Sequence, residues 1–325
     1  KIKKGLDLPL AGRPDQVLMD AAEPTSVALE TYEFAGIKPK VLVKEGDEVE
    51  TGQPVFLNKV DRDIVWCAPA SGTVRAIEFG PRRFLTRVVI DVGPDKQHAA
   101  LPTLPQSGDR EELIRAIKGA GLWPLFKQRP LGKMPVGEAA PVAIFVNGMD
   151  SAPLAADPCF ATHDRPADLQ AGVDVLARLT SGTVYLALRE AGDHQSDARG
   201  LEGVEVHEFN GPHPAGLVGT HIHEIRPLKS GEVAFAVSLQ DVARIGHWAR
   251  TGSYPTHKVI AVGGSEAPSK QYFRVRQGAP LAVLTGGAAL TGDVRCINGD
   301  VLHGYAAEPD GYLAFGNRTV TVMQE

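Results

Sequence analysis

The chain has 325 residues, 34 of them lysine or arginine and 39 aspartate or glutamate, for a net charge of −5, and 43% are hydrophobic. A chain of this length has more residues than a single hydrophobic core usually supports, so two or three domains are expected. The acidic balance argues against a general nucleic-acid-binding protein, and no apolar run approaches the roughly 20 residues that span a bilayer.

The N-terminus and the cysteines indicate a cytoplasmic location. The segment Lys1-Ile2-Lys3-Lys4 leads into Gly-Leu-Asp rather than into the apolar stretch of a signal peptide. Cys67, Cys159 and Cys296 are widely separated and form neither a CxxC motif nor an iron–sulfur spacing, which is typical of a reducing compartment. We interpret each cysteine as a small buried hydrophobic residue.

The first hundred residues are typical of a small β domain. Turn signals separate β-prone runs at residues 41–43, 55–57, 64–66 and 88–92. The order of these runs and turns resembles a biotinyl/lipoyl-carrier barrel sandwich. Carriers hold a modified lysine beside methionine in a hairpin. Lys59 occupies that stretch without a flanking methionine, so we interpret it as a solvent-exposed hairpin residue.

The middle of the chain alternates between strand and helix patterns. Continuous apolar or alternating runs predict strands at 142–146, 183–188 and 204–209. Helical spacing of apolar residues predicts helices at 110–120, with Gly121 after the first, at 167–179 and at 237–251. Such alternation predicts a Rossmann-like α/β layer with a partly parallel sheet, although the dinucleotide fingerprint GxGxxG is absent.

The last part of the chain changes character at about residue 254. Short strands are predicted at 258–264, 274–276, 294–297 and 319–322, with a helical turn at 281–284. We therefore expect an α/β and α+β multidomain fold. Its parts are a β domain with an N-terminal extension (1–100), a Rossmann-like α/β domain (101–253) and a small α+β module (254–325).

The segment 211–223, Gly-Pro-His-Pro-Ala-Gly-Leu-Val-Gly-Thr-His-Ile-His, is the most unusual in the chain. Because proline removes a backbone donor and glycine permits positive φ, we expect a loop rather than a helix or strand interior. On a strand, His221 and His223 would face the same side, but no neighbouring residue completes a known zinc spacing. A metal site involving His213 or Glu224, a loop that contacts a ligand or subunit, and a purely structural loop all stay open.

Asp150 follows a buried predicted strand, and α/β proteins bind ligands at the carboxyl ends of such strands. A turn or helix-capping role is the simpler interpretation of this residue. No Ser-His-Asp or Cys-His order and no P-loop stands out, so we predict no catalytic residue.

Several motifs together carry a family resemblance over the whole chain. They are residues 2–12 (Ile-Lys-Lys-Gly-Leu-Asp-Leu-Pro-Leu-Ala-Gly), 121–123 leading to 129–130, 143–150 with 153–158, the run 211–223, and 272–276 (Tyr-Phe-Arg-Val-Arg). In this order the motifs resemble the A-subunit family of the Na+-translocating NADH:quinone reductases.

The resemblance implies a peripheral subunit on the cytoplasmic face of the bacterial inner membrane, which reaches the membrane through partner subunits, chiefly the embedded quinone/flavin subunit. It implies ubiquinone as substrate, NADH oxidation on another subunit, Na+ export by the complex, and no flavin, iron–sulfur cluster or nucleic acid on this chain. It also implies a β-grasp, SLBB-like C-terminal module. Family members continue with a helical domain, so we expect a further part of about 120 residues to be missing here.

A quinone needs an apolar slot and donors to its two carbonyl oxygens. The resemblance directs attention to two segments, 30–37 and 129–135, either of which can equally be an exposed loop. The first departs from the family pattern around residues 29–34. The candidate quinone-binding residues are Tyr32, Phe34, Gly36, Arg129, Pro130 and Lys133.

Three alternatives to the quinone-binding subunit stay open. The first is a purely structural docking subunit without its own quinone site. The second is an Rnf-type electron-transport subunit, which requires cluster cysteines. The third is a biotin or lipoyl carrier, which would be modified at Lys59.

Overall fold

Two small sheets form the N-terminal end of the fold, a five-stranded sheet forms the middle, and a six-stranded sheet forms the C-terminal end. The computed structural model describes residues 1–94, 96–106, 108–137, 139–190, 197–286, 293–308 and 310–325. The predicted multidomain α/β and α+β class is confirmed.

The N-terminal strands pack as a barrel sandwich around Phe56, Trp66 and Ile90, which are fully buried. One sheet has the order β2-β8-β7-β4 and the other β3-β5-β6. The strands are β2 (Ser26–Glu30), β3 (Pro39–Val41), β4 (Glu48–Val49), β5 (Pro54–Asn58), β6 (Asp61–Cys67), β7 (Gly72–Phe79) and β8 (Leu85–Val92), and β1 (Leu18–Asp20) before them joins the C-terminal sheet. The strand predicted at 41–43 ends earlier, at Val41, because the chain turns where Asp47 accepts the backbone N–H of Lys44 at 2.7 Å.

The middle sheet has the order β12-β11-β10-β13-β9, with the first four strands parallel and β9 antiparallel to β13. Its continuous apolar strands are buried as predicted. The elements are α1 (Arg110–Gly119), β9 (Lys127–Arg129), β10 (Ala143–Gly148), α2 (Pro166–Ala177), β11 (Thr183–Arg189), β12 (Glu205–Phe209), α3 (Val218–Ile225), β13 (Ala234–Ser238) and α4 (Leu239–Thr251).

The start of helix α4 differs from the sequence prediction. Residues 237–238, predicted as helical, end strand β13. Ser238 has extended backbone angles, and its hydroxyl accepts the backbone N–H of Asp241 at 3.1 Å, so it caps α4. Because the apolar strand runs directly into the helix without a loop, the hydrophobic pattern gives no sign of the boundary between them.

The C-terminal sheet has the order β1-β15-β14-β18-β16-β17. Its elements after α4 are β14 (His257–Gly263), β15 (Tyr272–Arg276), α5 (Ala282–Thr285), β16 (Val294–Asn298), β17 (Tyr305–Ala306) and β18 (Thr319–Gln324). Strand β1 of the N-terminal extension pairs in parallel with β15, Leu18 opposite Tyr272. The extension therefore ties the C-terminal sheet to the start of the chain.

The helices of the described residues are short. None of them combines the length and the apolar character that a membrane-crossing helix requires.

Candidate functional site

Residues 2–16, which we call the strap, cross the carboxyl end of the middle sheet. At one end, the backbone N–H of Ile2 donates to the carbonyl of Asn210 at 2.7 Å and that of Leu6 donates to the carbonyl of His213 at 3.0 Å. At the other end, the backbone N–H of Gly264 donates to the carbonyl of Gly12 at 2.8 Å. The strap therefore spans from the histidine-rich run to the C-terminal sheet.

The strap and the ends of β10 and β11 enclose a cleft of about 950 Å³. This volume is that of a small-molecule site, and the carboxyl ends of parallel strands are where α/β proteins bind ligands. Residues that line the cleft include Leu8, Leu10 and Arg13 of the strap, Met149, Asp150 and Arg189 at the strand ends, and Cys159, Phe160, His163 and Tyr272.

Asp150 forms a turn at the floor of the cleft. Its Oδ1 accepts the backbone N–H of Ala152 at 2.9 Å, which confirms the predicted turn role. Burial raises the pKa of Asp150, and the bond from Ala152 opposes that shift in part. Arg189 donates to the Asp150 carbonyl at 2.7 Å, which places its guanidinium beside the cleft.

The opposite wall carries aromatic rings. Phe160 and Tyr272 meet edge to face with their centroids 4.6 Å apart, and the imidazole of His163 stacks on Phe160 at 5.0 Å. Tyr272 is held in place because its hydroxyl accepts the backbone N–H of Asp157 at 2.8 Å. Aromatic rings, apolar strap residues and arginine side chains therefore line one cleft, a combination suited to a planar organic ligand with oxygen acceptors.

The histidine-rich run lies next to the cleft, and it is only partly a loop. Residues 211–217 form turns, whereas α3 begins at Val218, so the expectation that the whole run is irregular was wrong. Both prolines precede the helix, and Ile222 on its inner face is buried against the sheet. This buried contact stabilises a helix that the glycine content alone disfavours.

His221 and His223 therefore point in different directions. On a helix, two residues two positions apart lie about 200° apart, so the shared face expected for a strand is absent. His221 is 1% exposed and its Nε2 donates to the carbonyl of Ala215 at 2.8 Å, whereas His223 is exposed. Burial, the largest cause, lowers the pKa of His221 to about 4. The described residues contain no group of three or more His, Cys, Asp or Glu placed to hold a metal ion.

The first predicted quinone segment lies away from the cleft. Tyr32 is exposed and stands edge-on to Tyr305, and Phe34 is buried against Trp66 and Phe315 with centroid distances of 5.0 and 5.5 Å. Gly36 adopts φ +83 in an exposed turn. These three residues line no space comparable to the cleft.

The second predicted quinone segment is a protruding loop after β9. Leu131 is 73% exposed and Val136 48% exposed, and the backbone N–H of Gln128 donates to the Lys133 carbonyl at 2.6 Å, which closes the loop. Pro130 is exposed at its tip. The guanidinium of Arg129 lies at the start of α3, 3.1 Å from the position of a Cβ on Gly219. The structure thus brings Arg129 to the histidine-rich run but not into the cleft.

Of the residues that line the cleft, the sequence analysis considered Asp150 and the start of the run 211–223 for a ligand. Leu8, Met149 and Tyr272 lay within motifs that carry the family resemblance, but Arg13, Arg189 and Phe160 gave no recognisable signal. Cys67 and Cys296 are buried as expected, but Cys159 is only half-buried, because it sits in the turn that leads to Phe160.

Comparison with known proteins gives consistent matches along the whole chain. Residues 1–93 match the NqrA N-terminal barrel-sandwich hybrid domain, 108–254 the NqrA second alpha/beta domain, and 259–308 the NQRA C-terminal domain. The chain is 40% identical over 331 residues to the Na(+)-translocating NADH-quinone reductase A-subunit of Neisseria meningitidis, covering 100% of this chain and 73% of that protein. The corresponding protein of Yersinia pestis is also 40% identical, over 330 residues with the same coverage.

A looser match exists among solved structures. The NAD+-reducing [NiFe]-hydrogenase in the air-oxidised state superposes with a TM-score of 0.48 and 16% identity, covering 68% of this chain and 47% of that chain. A superposition of this quality does not carry the function of that enzyme to this chain.

Proposed function

The chain belongs to the A-subunit family of the Na+-translocating NADH-quinone reductases, and on that basis we propose that it is a peripheral, cytoplasmic subunit that supplies a quinone site to such a complex. In this proposal NADH oxidation, flavin and iron–sulfur chemistry belong to other subunits. The complex couples the electron transfer to Na+ export, and this chain contacts chiefly the membrane-embedded quinone/flavin subunit.

The observation that supports a quinone site is the cleft beneath the strap. A ubiquinone headgroup is a planar ring with two carbonyl acceptors. The cluster of Phe160, His163 and Tyr272 offers aromatic contacts, and the guanidinium of Arg13 offers a charged donor. Leu8 lines the cleft and is itself partly exposed, so an isoprenoid tail could leave along the strap.

The loop at 130–136 supports docking better than it supports a quinone slot. Leu131, Lys133 and Val136 of this loop are exposed, and Met134 between them is buried. We therefore propose this loop as a contact with a partner subunit, since exposed apolar residues that lie close together are typical of protein interfaces.

The test is a calorimetric titration of the full chain with a soluble ubiquinone analogue. We expect saturable binding that Arg13→Ala weakens about tenfold, the effect of losing one charged hydrogen bond. The matched control is Arg115→Ala, which removes an exposed arginine from α1, outside the cleft. It should bind like the unchanged chain.

The same titration separates the competing locations. If Arg129→Ala or Lys133→Ala weakens binding and Arg13→Ala does not, the site lies at the loop that the sequence suggested. If the unchanged chain shows no saturable heat, the proposal of a quinone site in this chain fails, and a structural docking subunit becomes the better account.

A further inference from the structure

The tip of the β7–β8 hairpin exposes both aromatic and basic side chains. Phe79 is 55% exposed and Phe84 39% exposed, and between them the chain carries Arg82 and Arg83, which are also exposed. Two aromatic rings and two guanidinium groups thus lie within six residues. We call residues 79–84 the aromatic-basic tip.

Two hydrogen bonds close the base of the aromatic-basic tip. The backbone N–H of Gly80 donates to the Phe84 carbonyl at 2.8 Å, and the hydroxyl of Thr86 donates to the Glu78 carbonyl at 3.0 Å. Arg82 and Arg83 both have positive φ, 57 and 56, a conformation that non-glycine residues rarely adopt. The hairpin therefore fixes both basic residues at its end.

The charge of the aromatic-basic tip is available to a partner. The nearest carboxylate along the hairpin, Glu78, is ion-paired with Arg87 at 2.7 Å, and Asp310 contacts the same arginine at 3.1 Å. Within the described part of the chain, Arg82 and Arg83 form no ion pair of this kind. The tip thus combines a net positive charge with exposed aromatic rings.

We propose that the aromatic-basic tip docks on the surface of an anionic phospholipid bilayer. Aromatic rings are favoured at the membrane–water interface, and basic residues are attracted by anionic headgroups. A specific protein interface buries about 800 Å² per partner, whereas a narrow convex tip presents far less and has no groove. A bilayer requires no shape complementarity and accepts such a tip.

The inference rests on the proposed function in one respect: a peripheral subunit has a bilayer within reach of the tip. Its test is sedimentation of the full chain with vesicles of phosphatidylcholine alone, or of phosphatidylcholine and phosphatidylglycerol in a two-to-one ratio. The quinone titration contains no lipid, so the two tests can fail separately.

We expect binding to the anionic vesicles at low salt, weaker binding at high salt, and little binding to phosphatidylcholine alone. Asparagine tolerates positive φ, so Arg82→Asn with Arg83→Asn should fold normally while binding weakens about fivefold for each arginine removed. Phe79→Ser with Phe84→Ser should weaken binding at both salt concentrations. The matched control is Lys59→Asn with Arg62→Asn, which removes the same charge from the exposed β5–β6 hairpin and should bind normally.

Three results would overturn the inference. The first is that the full chain fails to bind anionic vesicles. The second is that the tip variants bind them as well as the unchanged chain does. The third is that the tip variants lose association only with vesicles that contain the membrane subunits, which would make the occupant of the tip a protein.

Discussion

The hydroxyl of Ser151 lies 3.0 Å from Nδ1 of His213 and accepts the backbone N–H of Gly216 at 2.8 Å. Since the hydroxyl proton is then free to donate to His213, one side chain satisfies both partners. The contact joins the turn after β10 to the histidine-rich run, and a Cβ on Gly216 would lie 2.4 Å from the Ser151 nitrogen. The two segments fit together because serine and glycine face each other there.

Ser151→Ala should destabilise the chain by about 1–2 kcal/mol, because it leaves the buried N–H of Gly216 without its acceptor. Urea unfolding measures the loss. Ser230→Ala, at an exposed position, is the control and should change stability by less than about 0.5 kcal/mol. Equal effects of the two substitutions would show that the Ser151 contact does not hold the segments together.

Gly5→Ala should loosen the strap. A Cβ on Gly5 would lie 2.0 Å from the His213 carbonyl oxygen, so the strap must move away from the histidine-rich run. We expect faster proteolysis of the strap and weaker binding of the quinone analogue. Gly108→Ala, where a Cβ meets nothing within 4 Å, should leave both unchanged. A strap of normal protease resistance in Gly5→Ala would contradict the packing described here.

His221 should make stability depend on pH. Its folded-state pKa of about 4 lies below the ordinary value of about 6.5, so the unfolded chain binds the proton more readily. Stability is therefore lost as the pH falls from about 6.5 towards about 4. Between pH 7 and pH 5, the titration of His221 should lower the free energy of unfolding by about 2 kcal/mol.

The matched variant for this pH effect is His221→Gln, whose amide can still donate to Ala215 but does not titrate. Urea unfolding at both pH values should show a drop about 2 kcal/mol smaller in the variant than in the unchanged chain. An equal drop would mean that His221 does not titrate as its burial requires.

Asp241→Asn should weaken the contact between α4 and the C-terminal sheet. The buried carboxylate bonds Arg244 at 3.2 Å and also contacts Arg318, so its neutralisation leaves two guanidinium groups without their counter-charge. We expect a loss of about 3–5 kcal/mol in urea unfolding. Asp174→Asn, at an exposed position of α2, should cost less than about 1 kcal/mol. A small effect at Asp241 would show that water already screens this cluster.

The sequence predicted the elements of the middle sheet because continuous apolar runs, such as 142–146, are typical of strands that are buried on both faces. It failed at α3, because the prolines and glycines of the run 211–223 dominate the local pattern, while the contact that stabilises the helix is made by Ile222. It also could not predict that Leu18 lies opposite Tyr272, since that pairing joins residues 254 positions apart. The cleft is built from such distant pairings, which is why Asp150 and Gly211, at the start of the run 211–223, are the cleft-lining positions that the sequence analysis considered for a ligand.

The most direct test of a quinone site in the cleft is the alkylation rate of Cys159. Cys159 lines the cleft and is half-buried, whereas Cys67 and Cys296 are buried, and burial raises the pKa of the Cys296 thiol to about 11. Iodoacetamide should therefore modify Cys159 first in the folded chain, as peptide mass spectrometry can show. Saturating quinone analogue should slow this reaction, and Arg13→Ala should weaken the protection. An unchanged rate at saturating analogue would contradict the account and place any bound quinone outside the cleft.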